Sequence, residues 1–330
     1  MIFLAVLIVE SGTMEAVRST GPSPEGVTRG TWNFEVAKVP IPKPTALEAL
    51  IKVAGASVNP VDWKLALHDG PKTQGLDYSG IVAGTGLLCR SFAVGDEVYG
   101  VTRGTFAQYT LAPCGTFGRR SAGSPLSLID YGTLGIGAGT SLTALWKSGL
   151  TPNSTVVVTS GSGGTGVFAI MIAKALGAGR VITAARAAHA PLLRELGADL
   201  VVDYTQRSLW DVLPTESVDV VYDNFGANGT ADRAMPSLKS CATAANSTFI
   251  FLPGKGGAIS SKPKPGVRQI NYGEFMPTTK AFAALDAMAV RGELRAVVQA
   301  NYSFAQVGRA YSVNAAGHVV GKLGVLPPPH

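Results

Sequence analysis

An α/β fold, a doubly wound parallel sheet joined to a β-rich domain, is predicted by three observations. The segment from Ser154 to Gly177 reads as strand, glycine turn and helix. After it, strands and helices alternate as far as Val298. Before it, from Met14 to about residue 125, short strands are broken repeatedly by Gly and Pro.

The glycine segment is the most specific of these. Thr155 to Thr159 is rich in β-branched residues, as in a strand covered on both faces. Gly161-Ser162-Gly163-Gly164-Thr165-Gly166 follows. Val167, Ile170, Met171, Ala173, Ala175 and Leu176 then recur at helical spacing until Gly177 stops the run. A bare G-x-G-x-x-G is weak, but a strand before it and a helix after it raise it above coincidence. Gly161 is expected to allow the tight turn, Gly163 the approach of a pyrophosphate, and Gly166 the contact of helix with strand. Unpaired N–H groups at the helix start would face the phosphates. A glycine-rich surface turn is the competing explanation, and it gives no reason for both flanks. The segment predicts a dinucleotide site.

The elements around it follow in order. Glu48 to Ser57 reads as a strand leading into Val58-Asn59-Pro60-Val61-Asp62-Trp63-Lys64. Gly75 to Gly80 opens a strand at Ile81-Val82-Ala83, and Gly95 to Gly100 and Gly104 to Tyr109 come next. Many short strands with turns between them suggest an antiparallel, barrel-like domain. A helix over Gly137 to Ser148 precedes the glycine segment. Beyond it come strands at Arg180 to Ala185, Leu200 to Asp203, Val218 to Asp223 and Ser247 to Leu252, with helices through Leu193 and Ala231 to Lys239. The alternation means a parallel sheet covered on both faces. Thr278 to Val290 reads as an amphipathic helix and Leu294 to Val298 as a last strand, and the tail from Phe304 to Val325 is expected to return to the first domain. The expected organisation is an extension at 1–13, a β-rich domain at 14–135 and 300–330, and a dinucleotide domain at 136–299.

Bulk properties narrow the function. A chain of 330 residues suits two domains of ~150 each. Hydrophobic content of 46% and a mean hydropathy of +0.23 describe a well-buried globular protein. The net charge of +6 (pI ≈ 9.2) is spread thinly, without a basic run interleaved with aromatics, so nucleic acid is not the expected partner. An anionic cofactor or substrate accounts for the excess equally well. Cys89, Cys114 and Cys241 are far apart and odd in number, which argues for a reducing compartment without a disulfide framework. Met1 to Val9 is apolar but shorter than the ~20 residues that span a bilayer, so stable membrane insertion is not expected. It reads as a disposable extension of a cytoplasmic protein, or as an organellar targeting segment.

These blocks together resemble the medium-chain dehydrogenase/reductase superfamily, in its zinc-free quinone oxidoreductase and alkenal (enone) reductase branch. The matching blocks are SVNPVD at Ser57 to Asp62, Gly75 to Gly80, Gly95 to Gly100, Gly104 to Tyr109, the glycine motif, LGADLVVDY at Leu196 to Tyr204 and GHVVGK at Gly317 to Lys322. The resemblance implies a GroES-like catalytic domain built from both chain ends around a Rossmann domain, with substrate in the cleft between them. Dimers are common in this branch.

Zinc is argued against by the ligands themselves. A catalytic zinc takes three protein ligands of Cys, His, Asp or Glu. In zinc-bearing relatives the counterpart of Asn59 is Cys, and those of Leu76 and Asp77 are His and Glu. Asn59 and Leu76 cannot supply those ligands, and no metal is expected.

The cofactor is expected to be NADP(H). An NAD site carries an acid about 20 residues beyond the motif, on the ribose 2′-hydroxyl. Here the second strand ends Thr183-Ala184-Ala185-Arg186, with no acid before Glu195. Arg186 offers a permanently charged, planar donor to a 2′-phosphate, and His189 could assist. Tyr204 is added by the resemblance, as are Lys64 as a cofactor contact and Thr143 beside the nicotinamide. Asn224, Phe225 and Leu252 end the strands where the nicotinamide half is expected, although a turn role suits Asn224 and Phe225 equally. Lys255, Lys262, Lys264 and Arg268 form either a basic lid or a solvated loop.

The expected chemistry is metal-free hydride transfer from NADPH to a small quinone or α,β-unsaturated carbonyl compound. Negative charge then develops on oxygen and is stabilised by fixed donors. Asn59, Lys64 and Tyr78 are the candidate catalytic groups: Asn59 as a polar group facing substrate, Lys64 as a donor to the cofactor ribose, Tyr78 as a proton donor. Asn59 equally suits a loop-shaping role before Pro60. The rival readings are a 2-enoyl thioester reductase of the same fold and a non-catalytic NADPH-binding protein.

Overall fold

The computed structural model describes residues 12–20, 33–66, 72–241, 247–273 and 278–329. Nearly all of the expected extension lies outside them. The chain divides into two compact units, Met1–Ile136 with Pro277–Gly292 and Ala296–His330, and Gly137–Met276 with Glu293–Arg295.

The first unit contains β1 (Thr13–Ser19), β2 (Phe34–Pro40), β3 (Glu48–Val58), α1 (Pro60–Ala66), β4 (Asp77–Thr85), β5 (Glu97–Val101), β6 (Tyr109–Pro113), β7 (Phe117–Arg119) and α2 (Leu128–Tyr131). β1 and β2 form an antiparallel pair. β3 organises the main sheet: it pairs with β4 along most of its length, and its other edge takes β6 over Glu48 to Lys52. Register shifts at Leu50/Ile51 and Val53/Gly55 bend the strand, as bulges do. Gly55 is needed there, because a Cβ would lie 2.9 Å from the Ile129 carbonyl of α2.

The second unit begins inside α3 (Gly135–Ser148) and continues through β8 (Thr155–Val158), α4 (Gly166–Ala175), β9 (Arg180–Ala185), α5 (Ala190–Glu195), β10 (Leu200–Asp203), β11 (Val220–Asp223), α6 (Thr230–Ala234), β12 (Ser247–Phe251) and β13 (Val267–Asn271). Its six strands are all parallel, in the order β10-β9-β8-β11-β12-β13. This is the doubly wound arrangement, whose strand order reverses beside the glycine turn. The sixth strand begins at the end of the segment expected to be a basic loop, taking Val267 and Arg268 from it, and continues to Asn271. Val157, Ile182, Val221, Phe249 and Leu238 form part of its core.

The remaining elements, α7 (Thr279–Val290), β14 (Val298–Ser303), α8 (Val307–Ala316) and β15 (Lys322–Leu326), return to the first unit. The domain division therefore differs from the expected one, since α7 was placed with the dinucleotide domain. Its polar contacts explain the difference: Asp286 accepts from the Tyr131 hydroxyl (2.6 Å) and the Ser121 N–H (2.9 Å), and the Tyr99 hydroxyl donates to the Phe282 carbonyl. The strand expected at Leu294 to Val298 starts at Val298 instead, and pairs with β15 rather than with the parallel sheet.

The cysteine expectation is also corrected. Cys89 and Cys114 form a disulfide with a Cα separation of 5.5 Å. Distance in sequence was the wrong guide. The Leu88 N–H donates to Ala46 and the Cys114 N–H to Leu47, so both cysteines reach the same point of the chain. Cysteine usage therefore carries no argument for a reducing compartment. Among the described residues no helix is long and apolar enough to cross a membrane.

Candidate active site

In the second unit, β8 runs into the glycine turn and α4 leaves it. No described residue accepts the N–H groups of Ser162, Gly163, Gly164, Thr165 or Gly166. Five consecutive free donors at a helix start form a cradle for an anion. The glycines divide by role. A Cβ on Gly166 would fall inside the Ser160 carbonyl, and one on Gly161 would collide with the Thr183 side chain. Neither glycine has positive φ, so Gly161 is required by the neighbouring strand rather than by a special turn conformation. A Cβ on Gly163 meets nothing closer than 3.5 Å, which leaves the approach open to a ligand.

Asn224, just beyond β11, braces this turn. Its Oδ1 accepts from the Ser160 N–H (2.9 Å), and its Nδ2 donates to the Ser160 carbonyl (2.9 Å) and the Thr165 hydroxyl (3.0 Å). Of the two roles considered for Asn224, these bonds support the turn. Asp223 beside it accepts from the Thr159 hydroxyl at 2.7 Å. Phe225 stays 45% exposed at the carboxyl end of β11, with the Lys255 ammonium 4.4 Å from its ring centroid. Leu252 follows β12 and donates to the Asp223 carbonyl. Thr143 on α3 donates to the Gly139 carbonyl (2.7 Å) and meets the Tyr272 hydroxyl, a partner the sequence reading did not contain.

Arg186 follows β9 and donates from Nε to the Tyr204 hydroxyl at 3.2 Å, so two residues 18 positions apart form one exposed pair. Asp203 nearby is held below its ordinary pKa by the Thr205 N–H and hydroxyl, with smaller effects from the Ala187 N–H and the Arg186 charge. The basic segment separates into individual roles. Lys264 pairs with Glu216 and donates to the Leu238 carbonyl, while Arg268 donates to the Ser148 carbonyl (2.7 Å) and the Thr248 hydroxyl (3.0 Å). Those two hold the fold and do not form a lid.

The first unit holds a second constellation, most of it absent from the sequence reading. Asp77, fully buried at the start of β4, accepts through Oδ2 from the Ser57 hydroxyl (2.8 Å), Asn59 Nδ2 (2.8 Å) and Lys322 Nζ (3.1 Å). Its Oδ1 accepts from the Ile136 N–H at 2.7 Å. Lys322 also donates to Asn59 Oδ1 and is only 2% exposed. Strand register assembles the group: Ser57 lies opposite Asp77, and Val58 opposite Leu323, which sets Lys322 across from Asn59. Asp62 on α1 accepts from the Asn59 N–H at 2.6 Å, while its other oxygen has no partner among the described residues. Burial and then the Asp77 charge push its pKa up to about 8, against the Asn59 N–H and the Lys322 charge.

The three catalytic candidates are thus scattered. Asn59 joins the cluster. Lys64 is exposed, its ammonium 5.7 Å from the Trp63 ring centroid. Tyr78 is corrected: its side chain is fully buried in an apolar cluster with Val98 and Phe117, and burial holds its hydroxyl far above the ordinary range. Its hydroxyl has no exposed area and no hydrogen-bond partner among the described residues, whereas Asn59 keeps 3% exposure.

A phosphate cradle at the reversal of a six-stranded parallel sheet, together with a second β-rich unit, defines the class of two-domain nicotinamide-dependent oxidoreductases. Residues 45–140 match the alcohol dehydrogenase GroES-like domain, and residues 196–325 match the zinc-binding dehydrogenase family. The chain is 28% identical over 315 residues to a 2-methylene-furan-3-one reductase of Solanum lycopersicum, covering 89% of this chain and 75% of that one. It is 28% identical over 325 residues to an NADPH-dependent alkenal/one oxidoreductase of Arabidopsis thaliana, chloroplastic, with the same two coverages, 89% and 75%. Its fold superposes on a quinone oxidoreductase from Coxiella burnetii with a TM-score of 0.79 at 23% identity, over 95% of this chain and 99% of that one. The chain belongs to the medium-chain dehydrogenase/reductase superfamily.

One matched family carries zinc in its name, and the residues present do not fit that metal. Where zinc-bearing relatives have ligands, an ammonium group bonds to both Asn59 and Asp77. A fixed cation there repels a second one, and an amide oxygen beside a carboxylate is a poor zinc donor set.

Proposed function

We propose that the chain is an NADPH-dependent reductase of quinones or α,β-unsaturated carbonyl compounds, acting by hydride transfer without a metal. The observation that carries this reading is the row of free N–H groups from Ser162 to Gly166, on the same sheet as the Arg186–Tyr204 pair. The first suits a pyrophosphate, and the second suits a 2′-phosphate, for which a guanidinium is the matched donor. The activities for which the Solanum lycopersicum and Arabidopsis thaliana relatives are named support the acceptor class. Bound nicotinamide would supply the hydride. The protein's part is to hold it and to stabilise charge on the acceptor's oxygen.

The test is oxidation of NADPH, followed by absorbance, with 1,2- and 1,4-quinones, 2-alkenals and a crotonyl thioester. Turnover of quinones or alkenals is expected; turnover of the thioester alone would shift the reading to an enoyl thioester reductase. Arg186→Glu should weaken NADPH binding by about 10- to 100-fold, the loss of one or two charge-assisted hydrogen bonds, with little effect on NADH. Equal weakening of both coenzymes would remove the NADP assignment.

A further inference from the structure

Lys322 has no part in the reading above, and its placement calls for a reason. A lysine only 2% exposed, bonded to an amide oxygen and a carboxylate, loses most of its hydration. The ion pair with Asp77 alone does not require Asn59, which lies between them chemically: its Oδ1 accepts from Lys322 while its Nδ2 donates to Asp77 at 2.8 Å. These bonds fix the amide in one orientation. They use one of the two Nδ2 hydrogens, and no described residue accepts the other. An amide whose oxygen accepts from an ammonium is polarised, and its remaining N–H becomes a stronger donor.

We propose that Lys322 is the built-in cation of this site, a positioning residue that orients and polarises Asn59 so that its second N–H donates to the oxygen of the acceptor. The proposal rests on the reductase reading. When hydride adds to the β-carbon of an enone, the double-bond electron pair moves toward the carbonyl and the oxygen becomes negative. Asn59 donates to that oxygen, and water then returns a proton to the α-carbon. No redox partner beyond the reduced coenzyme is needed. The positive charge that a metal would place behind the oxygen comes instead from Lys322 through one amide. Asn59 thereby keeps its candidacy as the catalytic group.

Lys322→Met, Lys322→Arg and Asn59→Ala are to be compared with the wild type for NADPH affinity and for kcat on β-aryl enones carrying electron-withdrawing or electron-donating substituents. Lys322→Met and Asn59→Ala should each lose about 100-fold in kcat, the loss typical of removing one oxyanion donor, with NADPH affinity within about 2-fold. In both variants the rate should depend more steeply on electron withdrawal, because the substrate must then carry its own charge. Quinones, more easily reduced, should lose less, and Lys322→Arg should recover part of the rate. A purely structural role would leave the substituent slope unchanged. Asn59→Ala keeps the Lys322–Asp77 pair and decides the matter if Lys322→Met does not fold. Folded variants with wild-type kcat on enones, or with an unchanged slope, overturn the proposal. Failure of the reductase reading is distinguishable, since the wild type would then turn over nothing in the panel.

Discussion

The glycine turn of the second unit and the polar cluster of the first are both built around groups that ordinary packing would not leave as they are, yet they are encoded in opposite ways. The turn occupies six consecutive residues, Gly161 to Gly166, and its free donors follow from local backbone geometry. The cluster draws on Ser57, Asn59, Asp62, Asp77 and Lys322, and exists only because β3 lies between β4 and β15 in one register. A local motif tolerates loss of distant contacts, whereas a register-dependent charge pair depends on the whole sheet. The cluster should therefore dominate stability, and the turn should dominate ligand affinity.

Removing the carboxylate of Asp77 is the largest way to break that contrast. Asp77→Ala leaves the Lys322 ammonium buried without its ion partner and should cost about 3–5 kcal/mol in urea unfolding. The control is the pair between Arg119 and Asp96, whose side chains are 52% and 24% exposed; Asp96→Ala should cost less than about 1 kcal/mol. Similar losses for the two would mean that burial does not set the value of the Lys322 pair.

Within the turn the contrast is smaller and runs the other way. Gly166→Ala forces a methyl group into the Ser160 carbonyl and should cost about 1–3 kcal/mol of stability. Gly163→Ala meets no atom within 3.5 Å and should change stability by less than about 0.5 kcal/mol while weakening NADPH. Thermal melts of the coenzyme-free variants and NADPH titrations separate the two effects. A destabilised Gly163→Ala would show that this glycine serves the fold rather than a ligand.

The same contrast explains what could be read from the sequence. The parallel sheet was legible because β8, β9, β10, β11 and β12 each announce themselves as short β-branched runs between helices. β13 was not, because Lys264, Gly266 and Arg268 look like loop residues until Arg268 is seen bonded to the Ser148 carbonyl. The site residues divide likewise: Arg186 follows from its strand-end position and Tyr204 from the resemblance, whereas Lys322 sits unremarked inside GHVVGK. A lysine in a strand gives no local sign that it will be buried. Tyr78 failed for the converse reason, since a tyrosine beside a glycine motif gives no sign that its face of the strand points into apolar packing.

Asp62 offers the finest discrimination, because it tests the electrostatics of the cluster without dismantling it. Its pKa rises from 3.8 to about 8 in the folded protein. The folded state therefore keeps a proton that the unfolded state releases, and stability falls as pH rises through the interval between those values. Asp62→Asn retains a side-chain oxygen to accept from the Asn59 N–H and cannot ionise. Its unfolding free energy, followed from pH 5 to 8, should fall less steeply than that of the wild type, and the two curves should diverge increasingly toward pH 8. Parallel curves would mean that Asp62 is already ionised across this range. The cluster would then carry two carboxylates against a single ammonium, a net charge of −1 in place of the balanced Lys322–Asp77 pair, and a second negative charge would oppose the polarisation of Asn59 by Lys322.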